Sequence, residues 1–319
     1  MTNPKIKVIF MGTPDFALPA LKSLVDDSEF EILGVVTQPD KKIGRKQEIT
    51  PPPVKVLADR YKLPTLQPDK VRDNQQFQKL LQGLTPDFLV VVAYGQILPR
   101  AILDIPKYGA INVHASLLPL YRGASPIESA LLHGDKETGI TIMKIEEKLD
   151  SGAILHVEKL PIESKDNADT LTIKLSFLGG LTLPHVLKEI VDGALPGIPQ
   201  NERLATSCHK IKKDDGLVEL NKLTAPEIQN RIRAFTPWPS CFLIIDGKRF
   251  KLLEAEIDMT QNIKPGQTIE LEKNTVALGT KKGLLIPLKV QLEGKKPMTI
   301  QEFLPGNRGL LTKLLTSPK

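Results

Sequence analysis

The apolar run Ala110–Ala115 contains an asparagine and a histidine two positions apart. A short apolar run of this kind predicts a β-strand, and side chains two positions apart on a strand point to the same face. Asn112 and His114 therefore share one face, and Ile111 and Val113 share the other. Ligands of open α/β sheets bind at the carboxyl ends of the strands, and this pair lies toward that end. The spacing predicts a candidate site built on Asn112 and His114.

These residue types suit acyl transfer to an amine. Attack on an acyl carbon places negative charge on its oxygen, which an amide N–H and an imidazolium can stabilise. The attacking nitrogen must also lose a proton, and a histidine with an ordinary pKa of ~6.5 can accept it. A neighbouring carboxylate would stabilise the charged imidazole. Glu146, Glu147 and Asp150 all follow the apolar run Ile140–Ile145, and only the small residues Ser151-Gly152 favour Asp150, so spacing alone leaves the choice open.

The elements of the first half alternate between strand and helix patterns. The β-type runs are Lys7–Met11, Ile32–Thr37, Phe88–Ala93, Ala110–Ala115 and Ile140–Ile145. Helical spacing covers Ala17–Val25 and Leu171–Val191, the second interrupted by Gly179-Gly180 and Pro184. This alternation predicts a Rossmann-like α/β domain with a parallel sheet. Its first turn, Gly12–Phe16, has neither G-x-G-x-x-G nor G-x-x-x-x-G-K, so no NAD or ATP site is implied.

The last third of the sequence has a different pattern of residue types. Gly193–Asn201 is rich in Pro and Gly, as linkers are, and a helix is predicted over Thr224–Phe235. Short β-type runs broken by turns, among them Asp246-Gly247, follow it and favour a small OB-like barrel. We predict a catalytic domain over 1–192, a linker over 193–212 and a smaller C-terminal domain over 213–319. Pro237-Trp238-Pro239 predicts a packing anchor, with a stacking platform for a base as the alternative.

The positive charge lies in that last third. From Ser207 onward there are 19 Lys/Arg against 12 Asp/Glu, whereas the first 206 residues hold 24 against 25. This asymmetry predicts a polyanionic partner such as a nucleic acid, with a solvated basic face as the alternative.

Composition also limits the classes of protein to which this chain can belong. With 41% hydrophobic and 25% charged residues the chain is typical of globular proteins. Its two cysteines, Cys208 and Cys241, have no metal-ligand or redox spacing, so we expect a reducing compartment and no metal site. No apolar run approaches the roughly 18 residues of a membrane span. We therefore expect a cytoplasmic protein that does not bind membranes. We also expect a monomer, although the composition does not determine the oligomeric state.

Several motifs resemble a known superfamily, the 10-formyltetrahydrofolate-dependent formyltransferases. Those near the candidate site are Asn112–Pro119, Tyr121–Ala124, Gly139–Thr141 and Leu149–Gly152. Those elsewhere are Met11–Ala17, Thr37–Asp40, Pro53–Lys55, Val91–Gly95, Ile232–Phe235 and Pro237–Pro239. The first turn, the Gln-Pro-Asp loop and the Pro-Trp-Pro segment resemble the branch of the superfamily that acts on tRNA.

The resemblance implies a reaction and a set of residues. It implies formyl transfer from 10-formyltetrahydrofolate, a consumed co-substrate, to the α-amine of methionyl initiator tRNA, without a metal. It makes Asn112, His114 and Asp150 the catalytic residues, which resolves the choice of carboxylate. The residues implied to lie along the folate are Ser116, Leu117, Leu118 and Pro119. A loop over residues 40–53 is implied to reach the acceptor end of the tRNA, and a functional arginine of the family falls at Arg45. The basic residues of this loop, Lys41, Lys42, Arg45 and Lys46, are candidates for phosphate contacts, with a merely exposed basic loop as the alternative.

Two other functions remain open at this point. A formyltransferase acting on a nucleotide sugar or a ribotide would keep the catalytic residues without needing the basic last third. A non-catalytic RNA-binding protein on an enzyme scaffold would have lost them, whereas Asn112, His114 and Asp150 are all present.

Overall fold

The computed structural model describes residues 4–44, 47–271 and 274–312. The strands are β1 (Ile6–Gly12), β2 (Phe30–Val36), β3 (Lys41–Ile43), β4 (Glu48–Thr50), β5 (Thr65–Leu66), β6 (Phe88–Val92), β7 (Ala110–His114), β8 (Arg122–Gly123), β9 (Glu137–Lys144), β10 (Ile154–Pro161), β11 (Ser207–Cys208), β12 (Cys241–Ile245), β13 (Lys248–Asp258), β14 (Thr268–Leu271), β15 (Thr275–Gly279), β16 (Leu284–Leu292) and β17 (Met298–Thr299). The α-helices are α1 (Leu18–Asp26), α2 (Pro53–Arg60), α3 (Gln75–Leu84), α4 (Arg100–Leu103), α5 (Pro126–His133), α6 (Ala168–Val191), α7 (Ala225–Ala234) and α8 (Ile300–Thr312). Short 3-10 helices cover Asp15–Ala17, Glu202–Leu204 and Lys213–Gly216.

The chain divides into two compact units, each built from three stretches of sequence. The first comprises Met1–Pro126, Glu137–Pro161 and Thr172–Cys208. The second comprises Ile127–Lys136, Ile162–Leu171 and His209–Lys319. Residues of the second unit thus interrupt the sequence of the first in two places.

The first unit contains a seven-stranded sheet in the order β10-β9-β7-β6-β1-β2-β5. Strands β7, β6, β1, β2 and β5 are parallel, which confirms the Rossmann-like prediction. Strand β9 runs antiparallel to β7, with His114 beside Thr141 and Ile111 beside Lys144, and β10 runs antiparallel to β9. The prediction that the run at 140–145 joins a parallel sheet is wrong for this edge. Hydrophobic periodicity indicates a strand but carries no information about its direction.

Burial explains which strands form the centre of this sheet. All five residues of β6 are buried, as the continuous apolar run Phe88–Val92 predicts for a strand covered on both faces. The neighbouring strand β1 is likewise buried from Val8 to Gly12. Strand β6 is the direct neighbour of β7, so the strand that carries Asn112 and His114 borders the buried centre of the sheet.

Helix α6 runs unbroken for 24 residues through the glycine pair and Pro184, where the sequence predicts an interruption. The glycines allow close packing, since a Cβ on Gly179 would lie 2.7 Å from Val113 Cγ1. The helix therefore supports β7 on the face opposite Asn112 and His114.

Among the helices that the structure describes, α6 alone is long and apolar enough to cross a membrane, by length and composition only. A core helix of a folded domain passes the same test, and 44% of its apolar window is buried.

The second unit contains an antiparallel sheet in the order β12-β13-β16-β15-β14, with β17 paired to β16. The turn between β12 and β13 is the predicted Asp246-Gly247, both with positive φ, of 50° and 73°. Helix α7 begins at a capping box in which the Thr224 hydroxyl and the Glu227 carboxylate each accept from the other's backbone N–H. The sequence predicts this antiparallel sheet, and the closure of the sheet into an OB-like barrel stays a prediction.

The Trp238 side chain is 57% exposed, so it is not the buried anchor that its flanking prolines predict.

Candidate active site

Strand β7 presents Asn112 and His114 on the same face, as the alternation of its side chains predicts. Asn112 lies beside Val91 of β6 and Met143 of β9 and is half-buried. Within the described part of the chain its side-chain amide makes no hydrogen bond. A half-buried amide with both donors unused is available to a ligand at this edge of the sheet.

His114 is nearly enclosed, with 6% of its surface exposed. Its Nε2 lies 3.0 Å from the carbonyl oxygen of Tyr121. A carbonyl only accepts hydrogen bonds, so Nε2 carries the proton and Nδ1 has the free lone pair. Burial lowers the pKa of His114 below 6.5, and the Asp150 carboxylate and the Tyr121 carbonyl offset part of that effect. At neutral pH the ring is therefore uncharged, and Nδ1 is the nitrogen that can accept a proton.

Asp150 is the carboxylate that the structure brings to this histidine. Its Oδ2 lies 3.7 Å from His114 Nδ1 and accepts a hydrogen bond of 2.8 Å from the backbone N–H of Gly123. Glu146 and Glu147 are both exposed. The separation of 3.7 Å is too long for a hydrogen bond, but it is short enough for the carboxylate to stabilise a protonated ring.

The two-residue strands β8 and β11 fix the other side of His114. They pair in parallel, so that Arg122 lies beside Ser207 and Gly123 beside Cys208. Gly123 has φ of 126°, and a Cβ there would lie 2.2 Å from the Cys208 carbonyl oxygen, so only glycine fits. The Cys208 thiol donates to the Tyr121 carbonyl at 3.4 Å, the same oxygen that accepts from His114. The sequence alone gave no sign that Cys208 lies at the candidate site.

The segment predicted to lie along the folate follows β7 directly. Ser116 is fully buried and donates through Oγ to the Leu120 carbonyl at 2.6 Å. The buried Thr141 hydroxyl donates to the Ser116 carbonyl at 2.6 Å and accepts from the Leu118 N–H at 3.1 Å. Ser116 and Leu118 therefore build the turn, while Leu117 and Pro119 keep accessible surface.

The loop predicted to reach the tRNA contains a β-hairpin that the sequence did not predict. Lys41 and Lys42 are exposed on β3, which pairs with β4. Arg45 and Lys46 lie outside the described residues. At the base of the hairpin Asp40 accepts from Gln67 Nε2 at 2.7 Å and from Lys55 Nζ at 2.9 Å. These two contacts lower the pKa of Asp40, the hydrogen bond from Gln67 having the larger effect.

Exposed apolar side chains adjoin the elements of the site. Ile97 follows β6 and is 65% exposed, Leu149 precedes Asp150 and is 60% exposed, and Leu120 follows Pro119 and is 38% exposed. Large exposed apolar side chains beside unused polar groups are typical of small-molecule sites. No cluster of three or more His, Cys, Asp or Glu that could hold a metal occurs in the ranges that the structure covers.

Three further polar groups at this edge are buried without a partner. Within the described ranges, the side-chain atoms enclosed without a hydrogen bond are Thr37 Oγ1, Gln38 Nε2 and Tyr94 Oη. Thr37 and Gln38 follow β2, and Tyr94 follows β6. Burial raises the pKa of Tyr94 to about 12, so its phenol is always protonated at neutral pH.

Replacing Tyr94 with phenylalanine is expected to leave the protein as stable or to raise its free energy of unfolding by up to about 1 kcal/mol. The substitution removes a buried hydroxyl that has no partner and keeps the ring, which packs in the core with Met11 and Val36. Urea denaturation of both proteins measures the difference. A loss of more than about 1 kcal/mol would mean that the hydroxyl has a hydrogen-bond partner in solution.

Comparisons with known proteins match both parts of the chain. A family model described as "Formyl transferase" matches residues 4–187, and one described as "Formyl transferase, C-terminal domain" matches residues 210–308. The chain is 43% identical over 311 residues to a methionyl-tRNA formyltransferase of Staphylococcus epidermidis, covering 97% of this chain and 99% of that protein. It is 44% identical over 302 residues to a methionyl-tRNA formyltransferase of Caldicellulosiruptor saccharolyticus, covering 94% and 96%.

Solved structures share the fold at low identity. An N-formyltransferase from Helicobacter canadensis, in complex with folinic acid and dTDP-3-aminofucose, superposes with a TM-score of 0.64 at 18% identity, covering 88% of this chain and 98% of that one. The sugar 3N-formyltransferase WlaRD, solved in the presence of dTDP and 5-N-formyl-THF, superposes with a TM-score of 0.63 at 21% identity, covering 91% and 99%.

Proposed function

Because the chain belongs to the formyl transferase family, and within it to the methionyl-tRNA formyltransferases, we propose that it formylates the α-amino group of methionine esterified to initiator tRNA. The observation that carries the proposal is the grouping of an unused amide, an uncharged histidine and a carboxylate at one sheet edge: Asn112, His114 and Asp150. Formylated methionyl initiator tRNA would then serve translation initiation.

Each of the three residues has a distinct task in this proposal. The Asn112 amide donates to the oxygen on which negative charge develops as the amine attacks. His114 takes the amine's proton at Nδ1, since its Nε2 is already bonded to the Tyr121 carbonyl. The imidazolium so formed lies 3.7 Å from the Asp150 carboxylate and can donate to the developing charge. The bond between the formyl carbon and the folate nitrogen then breaks, and the imidazolium returns its proton to that nitrogen as tetrahydrofolate leaves. Asp150 itself is held by the Gly123 N–H, so it does not have to move.

The formyl donor in this proposal is 10-formyltetrahydrofolate, which supplies an activated formyl group. The residues beside Asn112 fit such a ligand, because the half-buried Leu117 and Pro119 and the exposed Ile97 offer apolar surface to a flat ring. Ser116 and Leu118 would contribute through the turn that they build. No metal is required for the tasks assigned to the protein's own side chains.

In this proposal the protein holds the substrate that receives the formyl group, methionyl initiator tRNA, through its phosphates. The last third of the chain carries the positive excess, and Lys41, Lys42, Arg45 and Lys46 add a basic loop. Lysine and arginine neutralise phosphates without reading sequence, so they hold the tRNA while the site reads the methionyl end. We assign catalysis to residues 1–192 and most of the tRNA binding to residues 213–319.

Formylation assays with initiator and elongator Met-tRNA side by side test this function. Product is expected with the initiator tRNA and 10-formyltetrahydrofolate, and none is expected when the folate is omitted. A third reaction offers a dTDP-amino sugar in place of tRNA. If the folded protein formylates the sugar and not the tRNA, or neither, the proposed function is wrong.

Binding of Met-tRNA is expected to change the fluorescence of Trp238 and to weaken at least about tenfold between 50 and 200 mM salt. Trp238 is the single tryptophan and lies 57% exposed in the second unit, so its emission reports on that unit. A Trp238→Phe variant gives the optical background. A Kd that is independent of salt would contradict a phosphate-based contact.

We further propose that the protein acts as a monomer in the cytosol. Both cysteines, Cys208 and Cys241, are buried and form no disulfide, as is usual for proteins of a reducing compartment. Burial also raises the pKa of the Cys241 thiol to about 12, which makes it a poor nucleophile. Light scattering in solution tests the oligomeric state, and fractionation of the cell tests the compartment.

A further inference from the structure

The backbone of Asp150 has a conformation that a residue with a side chain rarely adopts. Its φ is +50°, in the left-handed region that favours glycine. The next turn is equally tight, since a Cβ on Gly152 would lie 1.8 Å from the Lys144 carbonyl oxygen. Contacts from elsewhere in the fold must therefore hold this loop in place.

Gln200 supplies those contacts. Its Nε2 donates to the carbonyl of Asp150 at 2.9 Å and to the carbonyl of Gly152 at 2.8 Å. Its Oε1 accepts from Arg122, at 3.0 Å from Nε and 2.7 Å from Nη2. Both ends of the amide are thus fully used, and the amide cannot flip without placing its oxygen against two carbonyls.

Arg122 is itself fixed by a carboxylate. It is 7% exposed, and its Nη2 lies 2.8 Å from Glu202 Oε1. The Arg122 guanidinium, with help from Lys148, lowers the pKa of Glu202 to about 2, so the carboxylate stays charged. The residue after Arg122 is Gly123, whose N–H holds the Asp150 side chain. Strand β8 therefore anchors Asp150 twice, by its own backbone and through Gln200.

We propose that Gln200 is a positioning residue for the reaction, which holds the Asp150 carboxylate against His114 by bonding the Asp150 loop to Arg122. This inference rests on the proposed function, because it takes His114 and Asp150 as the pair that handles the proton. Gln200 touches neither of the two side chains. It fixes the backbone from which one of them extends.

Two substitutions separate positioning from packing. Gln200→Ala removes all four hydrogen bonds. Gln200→Glu keeps an acceptor for Arg122 but replaces the donor to both carbonyls with an oxygen. If Gln200 positions Asp150, both variants lower kcat about 10- to 100-fold, because a displacement of about 1 Å at a catalytic group has an effect of this size. KM for Met-tRNA and for the folate stays within about threefold of the wild-type value.

A double-mutant cycle tests whether Gln200 affects kcat through Asp150. In an Asp150→Ala background, with more enzyme in the assay, Gln200→Ala is expected to change kcat less than about twofold, since its target is gone. Gln78→Ala is the matched control, because that glutamine also donates from Nε2 to a backbone carbonyl of another element, that of Ala101, and this bond involves no residue of the Asp150 loop.

Either of two results would overturn the inference. One is a Gln200→Glu enzyme with wild-type kcat, and the other is an equal loss of kcat with and without Asp150. Thermal melts show whether a loss of activity follows from unfolding, and Gln200→Glu is the variant that retains the bond to Arg122. If the wild-type protein forms no formyl-Met-tRNA, the proposed function fails instead, and the two failures are distinguishable.

Discussion

Replacing His114 with alanine is expected to lower kcat for formyl transfer about 10²- to 10⁴-fold, the range that a general base contributes. The ring is uncharged at neutral pH and offers Nδ1 to the amine's proton, and in the described chain no other imidazole lies beside Asp150. The Kd for Met-tRNA should stay within about twofold, because His114 is nearly enclosed and uncharged and so neutralises no phosphate. Single-turnover assays at saturating substrates give the rate, and filter binding gives the Kd.

Two further variants separate this effect from damage to the fold. His114→Gln keeps a donor that can reach the Tyr121 carbonyl but cannot accept a proton at neutral pH, so it should be as slow as alanine. His185→Ala, at an exposed position on α6, should keep the wild-type rate. If the alanine variant at position 114 stays within tenfold of wild type, His114 is not the proton acceptor.

Replacing Asp150 with asparagine is expected to lower kcat about 10²-fold or more and to lower the pKa of His114 further. The carboxylate raises the pKa of the ring, against a larger effect of burial that lowers it. Without the carboxylate only burial and the Tyr121 carbonyl remain, so the ring holds a proton less well. The side-chain oxygen of the asparagine can still accept the hydrogen bond from the Gly123 backbone N–H, so the loop should keep its position.

Nuclear magnetic resonance measures this shift directly. The His114 signal is assigned by its disappearance in the His114→Ala variant, and its titration is followed in both proteins. The midpoint should lie at a lower pH in Asp150→Asn than in the wild type. A midpoint that is unchanged or higher would show that Asp150 does not act on His114 electrostatically.

The sequence predicted the part of the site that lies on a single strand. Alternation along β7 places Asn112 and His114 on one face whatever the rest of the fold does, and the structure has them there. The continuous run of β6 predicted its burial for the same local reason. Local patterns carry this information because it depends only on the geometry of one extended segment.

Contacts between distant segments could not be predicted in this way. Residues 146–150 follow a strand whose direction periodicity leaves undetermined, and so spacing alone could not choose Asp150 from its neighbours. Gln200 lies in a stretch whose Pro and Gly content predicts a linker, and nothing in that composition indicates a bond to a residue 50 positions earlier. The hydrogen bond from Cys208 to Tyr121 spans 87 positions and left no local pattern either.

The short pairing of β8 with β11 has a consequence for how the enzyme matures. Tyr121 donates to Thr206, 85 positions later, and Arg122 stays without Gln200 and Glu202 until those residues exist. A ribosome adds about 5–20 residues per second. Asn112 and His114 are therefore synthesised several seconds before the residues that anchor the Asp150 loop. The strands of the first sheet can pair during that interval. The contacts that hold the Asp150 loop can therefore form only after the chain has been synthesised to Thr206, well after strand β7 is complete.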